Sequence, residues 1–475
     1  MLNTLNDVLN NVDNFIWGMP LIILILFTGI LLTVRLRGLQ IRHLGKALHY
    51  VFHNEDDGEG EVTSFGALCT ALSATIGTGN IVGCATAIVA GGPGALFWMW
   101  LAAFFGMATK YAEGMLAVKY RVIAEDGHAL GGPFYYIEKG MGKNFKWLAK
   151  LFCVFGTMVG LFGIGTFTQV NGITSAVNNF FDPSNVHMIS LFGRNYSISV
   201  VVAGIIVTIC VGLVIIGGIK RISKVSEVIV PFMAVTYIGV CLIIVFTHLP
   251  QVPAAFAEIV QSAFGLKAVA GGAIGAMTVA MQKGIARGIF SNEAGLGSAP
   301  IAAAAAQTNE PVRQGLVSMT GTFIDTIIVC TMTGLAIVMT GAWDMGLEGV
   351  AVTTKAFALG LPFPAKASAF ILMMCLVFFA FTTILGWAYY SERCLEYLVN
   401  GKKFVITAFK WFYILAVFIG PFMTVSAVWT IADICNGLMA FPNLVALLAL
   451  NGDVVSETRG YLERVGIVKT TVGEA

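Results

Sequence analysis

A short run of small and polar residues, S-A-T-I-G-T-G-N at Ser73 to Asn80, lies within an apolar stretch long enough to cross a bilayer. A helix needs roughly 20 apolar residues to span the hydrocarbon. Gly77 and Gly79 disfavour helix, and the neighbouring threonine and asparagine offer competing hydrogen bonds. Interrupted backbone at membrane depth frees N–H and C=O groups that can hold an ion and a small zwitterion. The run therefore predicts a broken helix with a binding function; a small-residue packing seam is the alternative.

A second break is predicted at residues 283–300, K-G-I-A-R-G-I-F-S-N-E-A-G-L-G-S-A-P, whose glycines and proline do not fit one smooth helix. We expect Ser291 and Asn292 to cap a second half-helix that continues to Ala306. The positive end of that half-helix would face mid-membrane and suit a carboxylate. Three ionisable residues accompany the break and either serve function or neutralise one another as a structural cluster: Lys283, Arg287 and Glu293.

Polar side chains in other apolar stretches are further candidates. Gln169 needs a partner in the hydrocarbon, so it either holds substrate or ties two helices together. Thr382 and Thr383 could coordinate an ion, or could bond back to their own helix. Trp387 shares a helix face with Thr383 and could close a pocket.

Two further carboxylates lie in apolar stretches. Asp325 is a candidate coupling or proton site, and we favour a structural role in which it partners a buried basic group. Glu113 and Lys110 are about one helical turn apart, so the spacing predicts an ion pair between them.

Composition places the chain in a membrane. Of its 475 residues 57% are hydrophobic and only 11% charged, with a mean hydropathy of +0.83. Soluble domains carry about 25% charged residues. The net charge of +2 and the absence of a basic patch give no indication of a nucleic-acid partner. The nine cysteines and six histidines show no metal-ligand spacing, and we expect the cysteines to be apolar fillers.

The hydropathy pattern predicts an all-α polytopic protein with about eleven transmembrane helices. They cover residues 16–34, 65–89, 95–118, 151–178, 198–218, 227–248, 268–306, 315–340, 367–391, 404–420 and 422–450. Basic residues cluster in alternate loops, so the positive-inside bias puts the N-terminus outside and the C-terminus in the cytoplasm. The two interrupted stretches then begin on opposite sides, five spans apart, which is typical of an inverted repeat.

Four regions follow from this topology. Residues 1–60 hold the first span and a cytoplasmic amphipathic segment at 38–53, and residues 61–249 form the first five-helix repeat. Residues 250–450 form the second, inverted repeat, with an interfacial helix expected at 250–265. Residues 451–475 form a cytoplasmic tail.

The sixteen residues from Gly91 to Gly106, G-G-P-G-A-L-F-W-M-W-L-A-A-F-F-G, resemble the signature of the alanine or glycine:cation symporter family. Two further motifs resemble sequences of the same family: F-S-N-E-A-G-L-G at Phe290 to Gly297, and the run that begins at Ser73. The resemblance implies a LeuT-like fold, in which a five-plus-five inverted repeat is joined by one peripheral N-terminal helix.

The resemblance also implies the site. Its substrate pocket falls on Thr78, Gly79, Gln169, Phe290, Asn292, Thr383 and Trp387. Its sodium site falls on carbonyls near Ser73 and Ile76 and on the hydroxyls of Thr382 and Thr383.

We therefore predict a secondary active symporter, not an enzyme, that takes up alanine or glycine with Na⁺ as coupling ion. We expect it in the inner membrane of a prokaryotic cell. A proton-coupled symporter and one that prefers glutamine or serine remain open alternatives. A passive channel would need repeated polar rings along a pore, and an enzyme would need a nucleophile–base constellation; the sequence shows neither.

Overall fold

A computed structural model describes residues 2–53, 58–125, 127–191, 193–266, 272–423 and 426–466. Parts of the predicted region 1–60, the start of the stretch at 268–306, part of the span at 422–450 and the end of the tail at 451–475 lie outside the described residues.

The chain folds almost entirely into helices, interrupted by two short β-hairpins. The helices of the first half are α1 (Leu2–Ile16), α2 (Met19–Arg35), α3 (Leu39–Arg42), α4 (Leu44–Phe52), α5 (Ser64–Thr75), α6 (Cys84–Gly91), α7 (Gly94–Lys119), α8 (Pro133–Tyr136), α9 (Lys146–Phe162), α10 (Phe167–Phe181), α11 (Ile198–Ile215) and α12 (Gly218–Thr247). The antiparallel hairpins pair β1 (Val122–Ile123) with β2 (Ala129–Leu130) and β3 (Met188–Leu191) with β4 (Arg194–Ser197).

The second half continues in the same style. Its helices are α13 (Val252–Ala263), α14 (Ala273–Asn292), α15 (Ala299–Ala303), α16 (Pro311–Thr322), α17 (Thr331–Met339), α18 (Val350–Gly360), α19 (Ala365–Leu398), α20 (Lys403–Ile419), α21 (Ser426–Ala449) and α22 (Asn451–Arg464). Two π-helical segments, Gly79–Gly83 before α6 and Phe323–Cys330 before α17, lie beside the predicted functional residues. Such segments often occur at functional sites.

The prediction of an all-α polytopic membrane protein is confirmed. Among the described residues, eight helical stretches are long and apolar enough to span a bilayer, and α5 with α6 forms one bent span in addition. Helices α7 and α14 cover the two other predicted spans with 26 and 20 residues. Peripheral helices present apolar side chains outward, for example Val202, Ile206 and Leu213 of α11, as lipid contact requires.

The predicted span at 151–178 corresponds to one apolar helical stretch, Lys143–Phe181, and its helix is interrupted. Helix α9 ends at Phe162 and α10 begins at Phe167, so the G-I-G-T segment between them is not helical. Gly163 packs so closely on Ala432 that a Cβ at that position would overlap it. The Tyr413 hydroxyl donates to the carbonyl of Gly165 (2.7 Å), which satisfies backbone that has left the helix.

The two interrupted spans meet in the interior. Helix α5 packs against α12 and α19, and α6 packs against α14 and α7. Helix α19 also contacts α10 and α9. This arrangement brings the ends of α5, α10 and α14 to the middle of the long helix α19.

Candidate functional site

The first predicted break is confirmed, because α5 ends at Thr75 and the span continues at an angle of 52°. The N–H of Gly77 donates to the Asn80 side-chain oxygen (3.0 Å) instead of its helical acceptor, the carbonyl of Ser73. The N–H of Asn80 donates to the carbonyl of Gly77 (3.3 Å) instead of that of Ile76. The carbonyls of Ser73 and Ile76 have therefore lost their helical donors inside a fully buried segment.

The Ile76 carbonyl lies beside a hydroxyl of α19. The Thr383 hydroxyl oxygen is 3.4 Å from the carbonyl oxygen of Ile76 and 3.0 Å from that of Phe379. The Thr382 hydroxyl shares the Phe379 acceptor at 3.0 Å. Of the predicted ion ligands, the structure therefore places Thr383 next to Ile76, and the part of Ser73 and Thr382 in ion binding stays a prediction. Among the described residues no group of three His, Cys, Asp or Glu side chains could hold a metal ion.

Gln169 lies on α10 at the same break. Its side chain is 2% exposed, and its Oε1 atom has no hydrogen-bond partner among the described residues. A Cβ added to Gly77 would lie 3.6 Å from that oxygen, so glycine leaves the amide open to the break. A Cβ added to Gly172, which is also on α10, would lie 3.0 Å from the methyl carbon of Thr78. A buried orphan amide oxygen beside freed backbone suits a donor such as an ammonium group.

The second break is confirmed, but the predicted caps at Ser291 and Asn292 are wrong. Helix α14 runs through both residues and ends at Asn292, and α15 begins only at Ala299. Between them the backbone takes positive φ at Glu293 (56°), Gly295 (88°) and Gly297 (81°). The glycines that were expected to break the helix form the connection itself, and α15 is only five residues long, not the expected half-helix to Ala306.

Polar side chains hold this connection in place. Glu293 accepts hydrogen bonds from Trp387 Nε1 (3.0 Å) and from the Ser298 hydroxyl (2.5 Å). Asn292 donates to the Thr326 hydroxyl (3.0 Å). Trp387 and Asn292 are therefore already bonded within the second break, and a part for either in substrate binding stays a prediction.

Phe290 joins the two breaks. Its ring lies 3.6 Å from the position of a Cβ on Gly79, and the Arg287 guanidinium lies 5.7 Å from the centre of the ring. The aromatic ring thus contacts both the first break and Arg287.

Asp325 connects the same two breaks through neutral donors. Its carboxylate accepts from Asn80 Nδ2 (2.7 Å) at the first break and from the Ser291 hydroxyl (2.9 Å) at the second. A third hydrogen bond comes from Thr326 (2.7 Å). The prediction that Asp325 is paired with a buried basic group is wrong, because all three of these hydrogen bonds come from neutral side chains. Asp325 lies on the π-helical segment Phe323–Cys330, and its carboxylate contacts residues of both breaks. Sequence spacing does not indicate these contacts.

Lys110 and Glu113 do not form the predicted ion pair. Lys110 Nζ is buried without a hydrogen-bond partner among the described residues, while Glu113 accepts from the N–H of Gly295 (3.1 Å) and from Asn443 (2.7 Å). Lys110 still interacts electrostatically with three buried carboxylates, those of Glu113, Glu293 and Asp325. If all are ionised, negative charge exceeds positive charge in this group.

The predicted cluster of Lys283, Arg287 and Glu293 is not formed either. Glu293 is buried at 3% exposure, whereas Lys283 is exposed and Arg287 half-buried along α14. No ion pair joins either cation to Glu293 within the part of the chain that the structure describes. Both cations line a separate cavity that Phe290 also lines.

Comparison with known proteins agrees with this arrangement. Residues 2–472 match the model of the sodium:alanine symporter family. The chain is 46% identical to the sodium/alanine symporter AgcS of Methanococcus maripaludis over 96% of its own length and 97% of that protein. It is 55% identical to an uncharacterized transporter of Haemophilus influenzae over 98% of both chains. It is 37% identical to the probable sodium/glutamine symporter GlnT of Bacillus subtilis over 97% and 91%.

Family membership requires a match across most of the chain, and both the family model and the relatives extend over nearly all of it. Members of this family are membrane symporters rather than enzymes. This chain belongs to the sodium:alanine symporter family.

Proposed function

We propose that the protein takes up a small neutral amino acid, alanine or glycine, together with Na⁺. The observation that carries the proposal is the first break, where the Ile76 carbonyl, freed from the helix, lies beside the Thr383 hydroxyl, and the unpartnered oxygen of Gln169 lies close to Gly77. The similarity to a sodium/alanine symporter supports the choice of cargo.

The ion part of the proposal rests on oxygen chemistry. Na⁺ is a hard cation that prefers oxygen ligands, and carbonyls of Ser73 and Ile76 with the hydroxyls of Thr382 and Thr383 provide them. Bound Na⁺ would hold α5 against α19 and so fix the geometry of the break.

The substrate part rests on freed backbone and limited space. The amino acid's carboxylate would face backbone N–H groups near Thr78 and Gly79, and its ammonium would donate to Gln169. Phe290 closes the space above Gly79, with Trp387 and Asn292 holding the second break behind it. One methylene is worth only about 1–3 kcal/mol in such a pocket, so selectivity for alanine over larger side chains is graded.

The proposed architecture is an eleven-span, LeuT-like inverted repeat in a prokaryotic inner membrane, with the N-terminus outside and the C-terminus inside. Support comes from the two confirmed breaks, which lie five predicted spans apart, and from the basic residues between spans. With that orientation, α1 and the α6–α7 turn face outside, and α5 and α15 lie on the cytoplasmic side.

Proton coupling is a second candidate, favoured by one observation. Asp325 is a fully buried carboxylate whose donors come from both breaks, so its protonation would alter both at once. Preference for glutamine, as in the name of the Bacillus relative, or for serine is a further candidate for substrate.

Uptake of labelled alanine into proteoliposomes tests the proposal. An inward sodium gradient at constant pH is expected to drive accumulation, and an inward proton gradient without sodium is not. Accumulation that is independent of sodium and driven by protons contradicts the proposed coupling. A labelled amino-acid panel tests the substrate, since glutamine uptake that exceeds alanine uptake contradicts the proposed preference.

A further inference from the structure

A cavity of about 440 Å³ lies next to Phe290 and is not lined by residues of the first break. Its walls come from α1, α2, α6, α14 and α21, and the exposed residues Asn14 and Lys283 are part of them. Its size falls in the range of roughly 300–1,000 Å³ that is usual for small-molecule sites. Phe290 lines this cavity and also lies close to Gly79 of the first break.

Two cations and two carboxylates line this outer cavity. Lys283 and Arg287 are one turn apart on α14, Asp13 comes from α1, and Asp433 comes from α21. Arg287 is close enough to both carboxylates to interact with them electrostatically. However, no ion pair within 4.0 Å joins these four groups in the described part of the chain.

Packing around α1 and α21 fixes the positions of the two aspartates. Trp17 Nε1 donates to the backbone carbonyl of Asp433 (3.0 Å), which attaches the end of α1 to α21. Asp13 Oδ1 is enclosed and has no hydrogen-bond partner among the described residues. The Arg287 guanidinium rests on the Phe290 ring, an interaction that leaves its N–H donors available.

We infer that this outer cavity is a second, external binding site for a zwitterionic amino acid. The carboxylate of the ligand would be held by Arg287 and Lys283, and its ammonium by Asp13 and Asp433. Separated charges of both signs suit a zwitterion, whereas a simple anion or cation would face repulsion from one pair. The inference rests on the proposed function, since it names where the transported amino acid is held before Phe290 moves.

The inference also gives α1 a role in binding. The resemblance implies that the first span, residues 16–34, is peripheral to the transport core, and α1, which precedes α2 of that span, packs along α21 and contributes Asp13 to the cavity. The site is therefore built jointly by the N-terminal helix and by the outer halves of both interrupted spans. Removing the Asp13 charge tests this without altering the central break.

The first experiment measures initial rates of labelled alanine uptake into proteoliposomes under a sodium gradient. Asp13→Asn and Asp433→Asn are each expected to raise KM roughly two- to fivefold, the effect of a partly solvated charge, while Vmax is kept. The matched control is Asp7→Asn, an exposed carboxylate on the same helix that does not line the cavity, and it should leave KM unchanged. Unchanged KM in Asp13→Asn, or a loss confined to Vmax, overturns the inference.

The second experiment detects binding without transport. Ala90→Cys, placed at the cavity in a Cys210→Ser background, is modified with a charged methanethiosulfonate, and alanine should slow the reaction. The slowing should persist when Gln169→Ala disables the central site, and Asp13→Asn should remove it. If Gln169→Ala abolishes the slowing, or Asp13→Asn preserves it, no outer site exists.

The two experiments separate the inference from the proposed function. A native protein that takes up no alanine contradicts the proposed function, while thiol protection still decides whether the cavity binds alanine. Normal sodium-driven uptake without protection contradicts the outer site alone.

Discussion

Arg121 joins the ends of the two interrupted spans by hydrogen bonds, and we call this group of hydrogen bonds the clasp. Its guanidinium donates to the backbone carbonyls of Glu59 (2.5 Å), Ala304 (2.9 Å), Ala306 (2.6 Å) and Thr308 (2.7 Å). These carbonyls belong to the segment that leads into α5 and to the segment that follows α15. The same two segments are bridged by backbone hydrogen bonds, including Glu61 N–H to Ala305 C=O (2.8 Å). In the proposed orientation these hydrogen bonds lie on the cytoplasmic side, and we predict that they form a gate that is closed while the outer cavity is open.

Replacing Arg121 with alanine should favour opening of this gate. A hydrogen bond to a charged group contributes about 1.5–3 kcal/mol, and four of them on one partly exposed side chain are not additive. We take about 2–4 kcal/mol as the loss from the closed state. At 1.4 kcal/mol per factor of ten, the open-to-closed ratio should rise roughly 30- to 700-fold.

The rate at which a thiol reacts with a maleimide measures this opening. Ala305 is fully buried under the clasp, so Ala305→Cys in a Cys210→Ser background reports exposure of the gate. Arg121→Ala should speed labelling strongly. Arg221→Ala is the control, because that exposed arginine donates to the carbonyl of Leu213 and, among the described residues, makes no hydrogen bond to the two segments that Arg121 joins. Folded Arg121→Ala protein that labels as slowly as the native protein would refute the clasp as a gate.

Three further outcomes are expected. Asp325→Asn should weaken but not abolish sodium-driven uptake, because the amide oxygen can keep the hydrogen bond from Asn80 while the NH₂ group can no longer accept those from Ser291 and Thr326; complete loss in a folded variant, with a changed pH profile, would instead indicate proton coupling. Trp387→Ala should cost about 3–5 kcal/mol of stability and remove the indole donor from Glu293 Oε1, and uptake of larger amino acids by this variant should rise if the indole limits the pocket; an unchanged substrate range, measured by competition, argues against that role. Backbone hydrogen bonds, led by the N–H of Val186, lower the pKa of the Asp182 carboxyl. The stabilisation that the Asp182 carboxylate gives to the β3–β4 hairpin is therefore present above the ordinary carboxyl pKa and is lost as the pH falls through the lowered pKa. Proteolysis of residues 183–197 should speed up in acid, and it should do so less in Asp182→Asn.

Sequence alone predicted the helices and both breaks, because long apolar runs and clustered glycines act locally. The break at Gly77 depends on glycine and asparagine within a few residues, and the structure shows the same residues making the local bonds. The resemblance also placed Thr383 beside Ile76, which the structure brings within 3.4 Å.

The partners of buried charges could not be predicted, because they come from distant parts of the chain. Asp325 meets Asn80 across 245 residues, and Trp387 meets Glu293 across 94. Sequence reasoning instead paired Glu113 with Lys110 by helical spacing, and packing between helices overruled that local rule. The position of α15 was missed for a related reason, since the glycines specified positive φ without fixing where helix resumed.

The candidate cation site is tested most directly by the sodium dependence of alanine uptake in Thr383→Val. Valine keeps the shape of the side chain and removes the hydroxyl beside the Ile76 carbonyl. Loss of one oxygen ligand should raise the half-saturating sodium concentration roughly 10- to 100-fold. Thr174→Val, a buried threonine that bonds back to its own helix, should leave it unchanged. Equal sodium dependence in Thr383→Val and the native protein would contradict cation binding at the first break.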